Sequence, residues 1–589
     1  MYWTQVIDPF DNIVLSALVA FVPILIIFWA LIIQKMKGYK ASMLATVVGL
    51  LIAIFVYKMP AKLALLSAAN GMMYGLFPIC WIIISAVFLF NLTVKSGKFE
   101  IIKHFMASIT SDRRIQALLI AFSFGSFLEG TAGFGAPVAI TAALLVGLGF
   151  HPLYAAGICL IANTAPVAFG SIGIPITVAS QVSSIPEMAI SQMIGRTLPI
   201  LSIFLPFYIV VLMSGFKKTI EILPAVIVSG GSFACLQWFS SNFLGPALPD
   251  IIAGIGSIVC LMICLKFWKP KTVWRFPNEP APTISNEINY RPGEIVQAWS
   301  PFILLTIMVI AWGMQPIKQV FNSVGLIQFE IPGLHNAIMD KNNSLLPHIF
   351  KFNYLSAAGT SIFLSAIISI PLVGLKFSDA LKVFWATLGQ LKYSILTVAL
   401  VLGFAYSLND SGITMTMAEA LANTGFLFPF FAPVLGWLGV FITGSDTSAN
   451  ALFGKLQSAT ASSIGVDPVI TVAANASGGV VGKMISPQSI AVASAAGNLV
   501  GRESELFRFT VKHSFIMLLF ICLIVLAQAY LFNSIVPIYQ ALTPKATIGI
   551  PDHFQGYIYL LVLACLLSAF VVVIKTIGRN KARVQEGIL

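Results

Sequence analysis

Long apolar runs, interrupted by short polar segments, fill this chain from residues 13–33 to residues 557–574. Many reach the ~20 residues that a helix needs to cross a bilayer. They are continuous, whereas the strands of a transmembrane β-barrel alternate apolar and polar positions, so a barrel is excluded. Gly and Pro recur inside the runs, which membrane bundles tolerate better than soluble helices do. The pattern predicts an all-α polytopic membrane protein. Two stretches, 115–149 and 427–465, break it: each has two apolar arms around a polar middle. In the first the arms are about 14 residues, short of a crossing, and treating both stretches as re-entrant hairpins satisfies every basic cluster and leaves about thirteen true crossings. Two crossed helices in place of either hairpin stay open.

Composition sharpens the class. Of 589 residues 58% are hydrophobic and 10% charged, with a mean hydropathy of +0.92. A soluble domain carries about a quarter charged residues. In a soluble chain the net charge of +12 would suggest nucleic acid. Here the basic residues sit in short loops beside the spans and act as orientation signals. No nucleic-acid partner is expected; the lipid bilayer is. The clusters Lys35/Lys37/Lys40, Lys95 to Arg114, Lys217/Lys218, Lys266 to Arg275, Lys376/Lys382, Arg502 to Lys512 and Lys575 to Arg583 all sort to the inside. That leaves the N-terminus outside and the C-terminus cytoplasmic, with the Glu129 hairpin entering from the cytoplasm and the Asp446 hairpin from outside. The first residues, MYWTQVIDPFDN, carry Asp8 and Asp11 and no basic cluster, unlike a cleaved signal peptide. No two of the seven cysteines form a CxxC pair, so metal and disulfide readings are weak. The six histidines (His104, His151, His335, His348, His513, His553) fall in or next to predicted loops, which argues against a mid-membrane histidine relay.

A faint repeat organises the chain. FLEGTAGFGAP followed by GFHPLYAAGICLIANTAPVAFGSIGIPI answers to ITGSDTSANALFG followed by GVDPVITVAANASGGVVGKMISPQSI. Gly149 to Pro152 aligns with Gly465 to Pro468, Asn163 with Asn475, and Pro175 with Pro487. Each half, 1–268 and 298–589, therefore holds a hairpin and then an interrupted helix (152–180 and 468–499), joined by a cytoplasmic linker at 269–297. Hairpins entering from opposite faces make the halves inverted, and paired interrupted segments in inverted halves point to a transporter's substrate site. Small residues alone could serve close helix packing, but that leaves the clustered Asn, Asp, Thr and Lys unexplained. The outer segment 318–351 has no legible role.

GSFLEGTAGFGAPVAITAALLVGLGF, NTAPVAFGSIGIPI, GSDTSANALFG and GKMISPQSIAVA together resemble the bacterial lactate permease family, over essentially the whole chain. The resemblance implies proton-coupled uptake of lactate, with glycolate carried by some members, across the plasma membrane. It also implies, more remotely, an elevator-like motion.

A carboxylate substrate needs a positive, hydrogen-bonding cradle, and interrupted helices expose orphan N–H groups and dipole ends at mid-depth. The candidate substrate contacts are Thr131, Gly133, Asn163, Thr164 and Ser171 in the first half. In the second they are Ser445, Thr447, Ser448, Asn450, Asn475, Ser477, Ser486 and Gln488. Any one of them could equally cap a half-helix or bond to a neighbouring helix. Ionisable residues inside spans are functional candidates by default. Glu129 and Asp446 are the expected proton carriers, and Lys483 either attracts the substrate carboxylate or pairs with Asp446. Asp410 and Glu419 are placed at the outer interface. GGVVGKM lacks the spacing and the Ser/Thr of a phosphate loop, and GTAGFGAP lacks the register of a dinucleotide site. No nucleophile, base or metal cluster suggests an enzyme, and no cofactor beyond the proton gradient is expected. The rival readings are a sodium-coupled carboxylate carrier and an ion channel; a homo-oligomer stays open.

Overall fold

Backbone groups in hydrocarbon must bond within their own segment, so apolar runs of this length fold as helices. The computed structural model describes residues 2–133, 135–277, 290–340 and 343–540, with Leu561, Ala564, Ser568 and Val571. Within these, ten helices are long and apolar enough to cross a membrane, or up to twelve if two sharply bent pairs each count as one span. The expected span at 557–574 lies outside the described residues apart from those last four. So do His553, Cys565, the C-terminal basic cluster and much of the 269–297 linker. The chain is a multi-pass, all-α membrane protein.

One span runs longer than its hydropathy alone suggests. Ala61–Lys95 runs as one bent unit, kinked at Phe77 where the backbone leaves helical angles. Its early turns contain Ser67, Asn70 and Gly71, which dilute hydropathy but permit close packing. A Cβ on Gly71 would lie 2.8 Å from the Cβ of Tyr406 in the long helix Phe377–Ser411.

At both stretches two helical arms meet at a tight tip, although in the second the arm Gly425–Thr443 is itself long and apolar enough to be a span. The first has arms at 113–131 and Ala136–Gly147, joined by a tip in which Gly133 and Gly135 take left-handed angles (φ +56° and +84°). The second joins Phe428–Thr443 to Asp446–Ser463 through Gly444. Each is followed by a broken helix. Pro152–Ala162 and 167–183 meet at 63°, and Pro468–Lys483 and Pro487–Ala496 at 41°. The packing is crosswise. Ala136–Gly147 lies against Pro487–Ala496, and Asp446–Ser463 against Gly170–Ser183.

A buried arginine anchors the first hairpin at its base. Arg114 donates to both carboxylate oxygens of Asp112 (3.1 and 2.7 Å), to Glu221 (3.0 Å) and to the carbonyls of Lys218 (2.7 Å) and Thr272 (3.0 Å). A buried guanidinium is tolerated only with this density of partners. Glu221, exposed outside the spans, is held below its ordinary carboxylate range by Lys218 and then by Arg114.

The segment 318–351 acquires a structure. Helix Gln315–Gly325 leads into Leu326–Glu330, which pairs antiparallel with Ile349–Asn353, while Trp3–Thr4 pairs in parallel with Ile338–Met339. His348 Nε2 of this segment sits 3.0 Å from Asp410 Oδ2, and Asp410 is buried against it.

Candidate functional site

The hairpin tips and helix breaks converge on one cavity of about 70 Å³. That is several times the ~10–15 Å³ one water needs. The first hairpin contributes Glu129 and Gly135, and the first break contributes Val167, Gly170, Ser171 and Pro175. Opposite them lie Gly444, Ser445, Asp446 and Thr447 of the second tip, with Lys483, Gln488, Ser489 and Val492 around the second break.

Local sequence explains how each element arrives there. At the first break Ser171, Ile172 and Gly173 are all left-handed (φ +47°, +60° and +74°). For a β-branched residue such as Ile172 this is costly, of order 1–3 kcal/mol, and such strain collects at functional sites. It brings Ser171 against Gly133 of the first tip, where any side chain would collide with the Ser171 hydroxyl. Three helices begin at the cavity: Ala136–Gly147 at Gly135, Asp446–Ser463 at its cap Ser445, and Pro487–Ala496 at its cap Ser486. Their first-turn N–H groups and positive dipole ends favour an anion there.

One cation faces two carboxyls across the cavity wall. Lys483, the last residue of Pro468–Lys483, places Nζ 2.6 Å from Glu129 Oε1. Glu129 Oε2 accepts from Asn163 Nδ2 at 2.9 Å. Gly170 is packed on the same carboxylate, since a Cβ there would lie 2.7 Å from Oε1. The expected pairing of Lys483 with Asp446 is therefore corrected: the lysine is joined to Glu129, 354 positions away. Asp446 turns back on its own helix, accepting from Asn450 at 3.4 Å, and its Oδ1 finds no hydrogen-bond partner among the described residues.

Among the candidates from sequence, Glu129, Ser171, Ser445, Asp446, Thr447, Lys483 and Gln488 share the cavity wall. The rest stand behind it. Thr131 and Thr164 donate to their own helical carbonyls, Phe127 (3.0 Å) and Ile161 (2.7 Å). Gly133 shapes the tip and Asn163 holds Glu129. Ser448 lies in the first turn of its helix, Ser486 is a cap, and Ser477 is buried. Asn475 donates to Asn450 (2.8 Å), Gln457 donates to Asn475 (3.2 Å), and Asn450 donates to the Pro175 carbonyl (3.1 Å), which ties the second hairpin to the first broken helix.

Two residues escaped the sequence reading. Ser489 lines the cavity one turn into Pro487–Ala496. Asp250 lies in the first turn of Pro249–Phe267, buried behind Gly130, where sequence shows only an ordinary acidic helix start. The histidine reading also needs correction. His513 lies inside the helix Glu503–Tyr530, buried and bonded to the Tyr208 hydroxyl at 2.5 Å; the charged residues Glu503, Glu505, Arg508 and Lys512 ahead of it made it read as next to a loop. It does not line the cavity.

A sequence profile of the family described as L-lactate permease matches residues 16–532. The L-lactate permease of Bacillus subtilis (strain 168) is 54% identical over 563 residues, covering 91% of this chain and 100% of that protein. The glycolate permease GlcA of Escherichia coli (strain K12) is 52% identical, covering 90% and 99%. The solved structure of Neisseria gonorrhoeae MtrF, from work on a class of antimetabolite efflux pumps, superposes with a TM-score of 0.48 at 13% identity, over 84% of this chain and 95% of that one.

Proposed function

The chain belongs to the L-lactate permease family of membrane transporters, and from that premise we propose that it imports lactate, with glycolate as a second substrate, by proton symport across a bacterial plasma membrane. The N-terminus is outside in this reading, as the basic loops imply. The observation that carries the coupling is the Lys483–Glu129 ion pair in the cavity wall. While Glu129 is ionised, the one lysine of the site is neutralised and offers little to a second carboxylate. A proton on Glu129 releases the ammonium, which then meets the substrate carboxylate in a setting of lowered dielectric, where one contact is worth more than in water. Proton and anion thus enter together, and the loaded site is as neutral as the empty one. Ser171, Ser445, Thr447, Gln488 and Ser489 supply hydroxyls and an amide for the carboxylate and the 2-hydroxyl of a small 2-hydroxy acid. The two hairpins and two broken helices would move together, as in an elevator.

Glu129→Gln tests the coupling. The variant is expected to lose accumulation driven by a pH gradient and to keep exchange of labelled for unlabelled lactate. Normal gradient-driven uptake by Glu129→Gln would rule this coupling out.

A further inference from the structure

Glu129 is a fully satisfied anion, with Lys483 on one oxygen and Asn163 on the other. The carboxyl behind it is the opposite. Asp250 is 1% exposed, and neither of its oxygens has a hydrogen-bond partner among the described residues. It is pressed against the residue that follows Glu129, for a Cβ on Gly130 would lie 2.7 Å from the Asp250 Cβ. The charged side chains whose fields reach it are Glu129 and, more weakly, Lys483, which oppose each other. Of the elements packed on its helix, 117–124 and Leu223–Phe243 contain no acidic or basic residue, and Gly125–Thr131 brings only Glu129. In such a pocket a bare carboxylate finds no hydrogen bond, only the positive end of its own helix and a field of Lys483 that Glu129 opposes, so the protonated form is the one accommodated. A merely structural role is a poor account, because an apolar residue would pack there without an unbonded carboxyl.

We infer that Asp250 is a coupling residue that holds a proton beside the substrate cavity and passes it to Glu129. The step balances. In the empty site Lys483 is held by Glu129, and an arriving carboxylate can take it only once Glu129 is neutral. The proton on Asp250 is drawn to Glu129, and Asp250, now ionised at a helix N-terminus, is reprotonated from water. No other bond forms or breaks. Asp250 does not line the cavity, so it touches the proton and not the substrate.

This rests on the proton-coupled reading above, and wild-type protein separates the two. If wild-type proteoliposomes fail to accumulate labelled L-lactate under an imposed pH gradient, that reading fails first. If they succeed, Asp250→Asn decides the inference. The amide replaces a protonated carboxyl without new charge, so the variant should fold, and should exchange lactate with wild-type half-saturation. Its gradient-driven accumulation rate should fall by about a hundredfold, the low end for loss of a positioned proton donor, and lose its pH dependence. Wild-type accumulation with a wild-type pH profile would overturn the inference. So would failure of Asp250→Asn to fold, which would show that the charged form is needed, or a change in half-saturation with coupling intact.

Discussion

At the scale of single residues, the account depends on which charges are paired. Removing one member of a buried ion pair strands the other and costs about 3–5 kcal/mol, whereas removing both costs much less. Lys483→Met should therefore destabilise the protein by that order, and Lys483→Met/Glu129→Gln should recover most of the loss in thermal melts of the detergent-solubilised protein. Additive losses would show that the two residues do not act as a pair. His348 offers a second test, well apart from the cavity. Its Nε2 faces Asp410 (3.0 Å) and its Nδ1 faces the Leu346 carbonyl (3.1 Å), and only the imidazolium donates from both nitrogens. Burial opposes that charge, but Asp410 and the carbonyls of Leu346 and Leu334 together outweigh it, and His348 titrates above its ordinary value. A raised folded value adds stability that is fully present below the unfolded value of ~6.5 and is lost as pH rises through the folded one. His348→Gln should flatten the decline in melting temperature from about pH 6.5 upward, and an unchanged pH profile would contradict the pairing. At this scale sequence showed that Glu129, Asp446 and Lys483 were exceptional, because charges inside apolar runs are rare. It could not show which pairs with which, since the partners lie on different elements hundreds of positions apart.

Among elements, the second hairpin and the helix after it approach each other closely. Cβ atoms on Gly436, Gly478 and Gly482 would run into the backbone carbonyls of Asn475, Pro433 and Trp437, so Phe428–Thr443 and Pro468–Lys483 touch main chain to main chain. Gly478 and Gly482 stand four apart on one face, the spacing that lets membrane helices approach closely. Overpacking such a contact costs about 1–3 kcal/mol. Gly478→Ala should lower stability by at least that and displace Lys483 from Glu129, read as lost transport together with a lower melting temperature. A variant of wild-type stability would refute the close contact. The hairpins and breaks were legible because polar middles and Gly/Pro clusters interrupt the apolar pattern. Helix lengths were less so. The early turns of Ala61–Lys95 and the helix holding His513 are diluted by small or charged residues whose burial depends on distant partners.

For the whole molecule, the class follows from the chain's hydropathy, and the family from motifs spread along its length. What sequence could not supply is the crosswise packing that sets hairpin tips and helix breaks around one cavity, and with it the placement of Asp250 behind Glu129. That aspartate follows Pro249 at the start of an apolar run, where acids are common for reasons of capping and dipole. Only its burial against Gly130 sets it apart. The central claim, that proton and lactate enter together, is tested most directly with purified wild-type protein in proteoliposomes, an alkaline interior and an acidic medium. Labelled L-lactate should rise inside above the level reached without a pH gradient, the excess should vanish when a protonophore is added, and unlabelled glycolate should compete. Equilibration to the same internal level with and without the pH gradient would contradict the account.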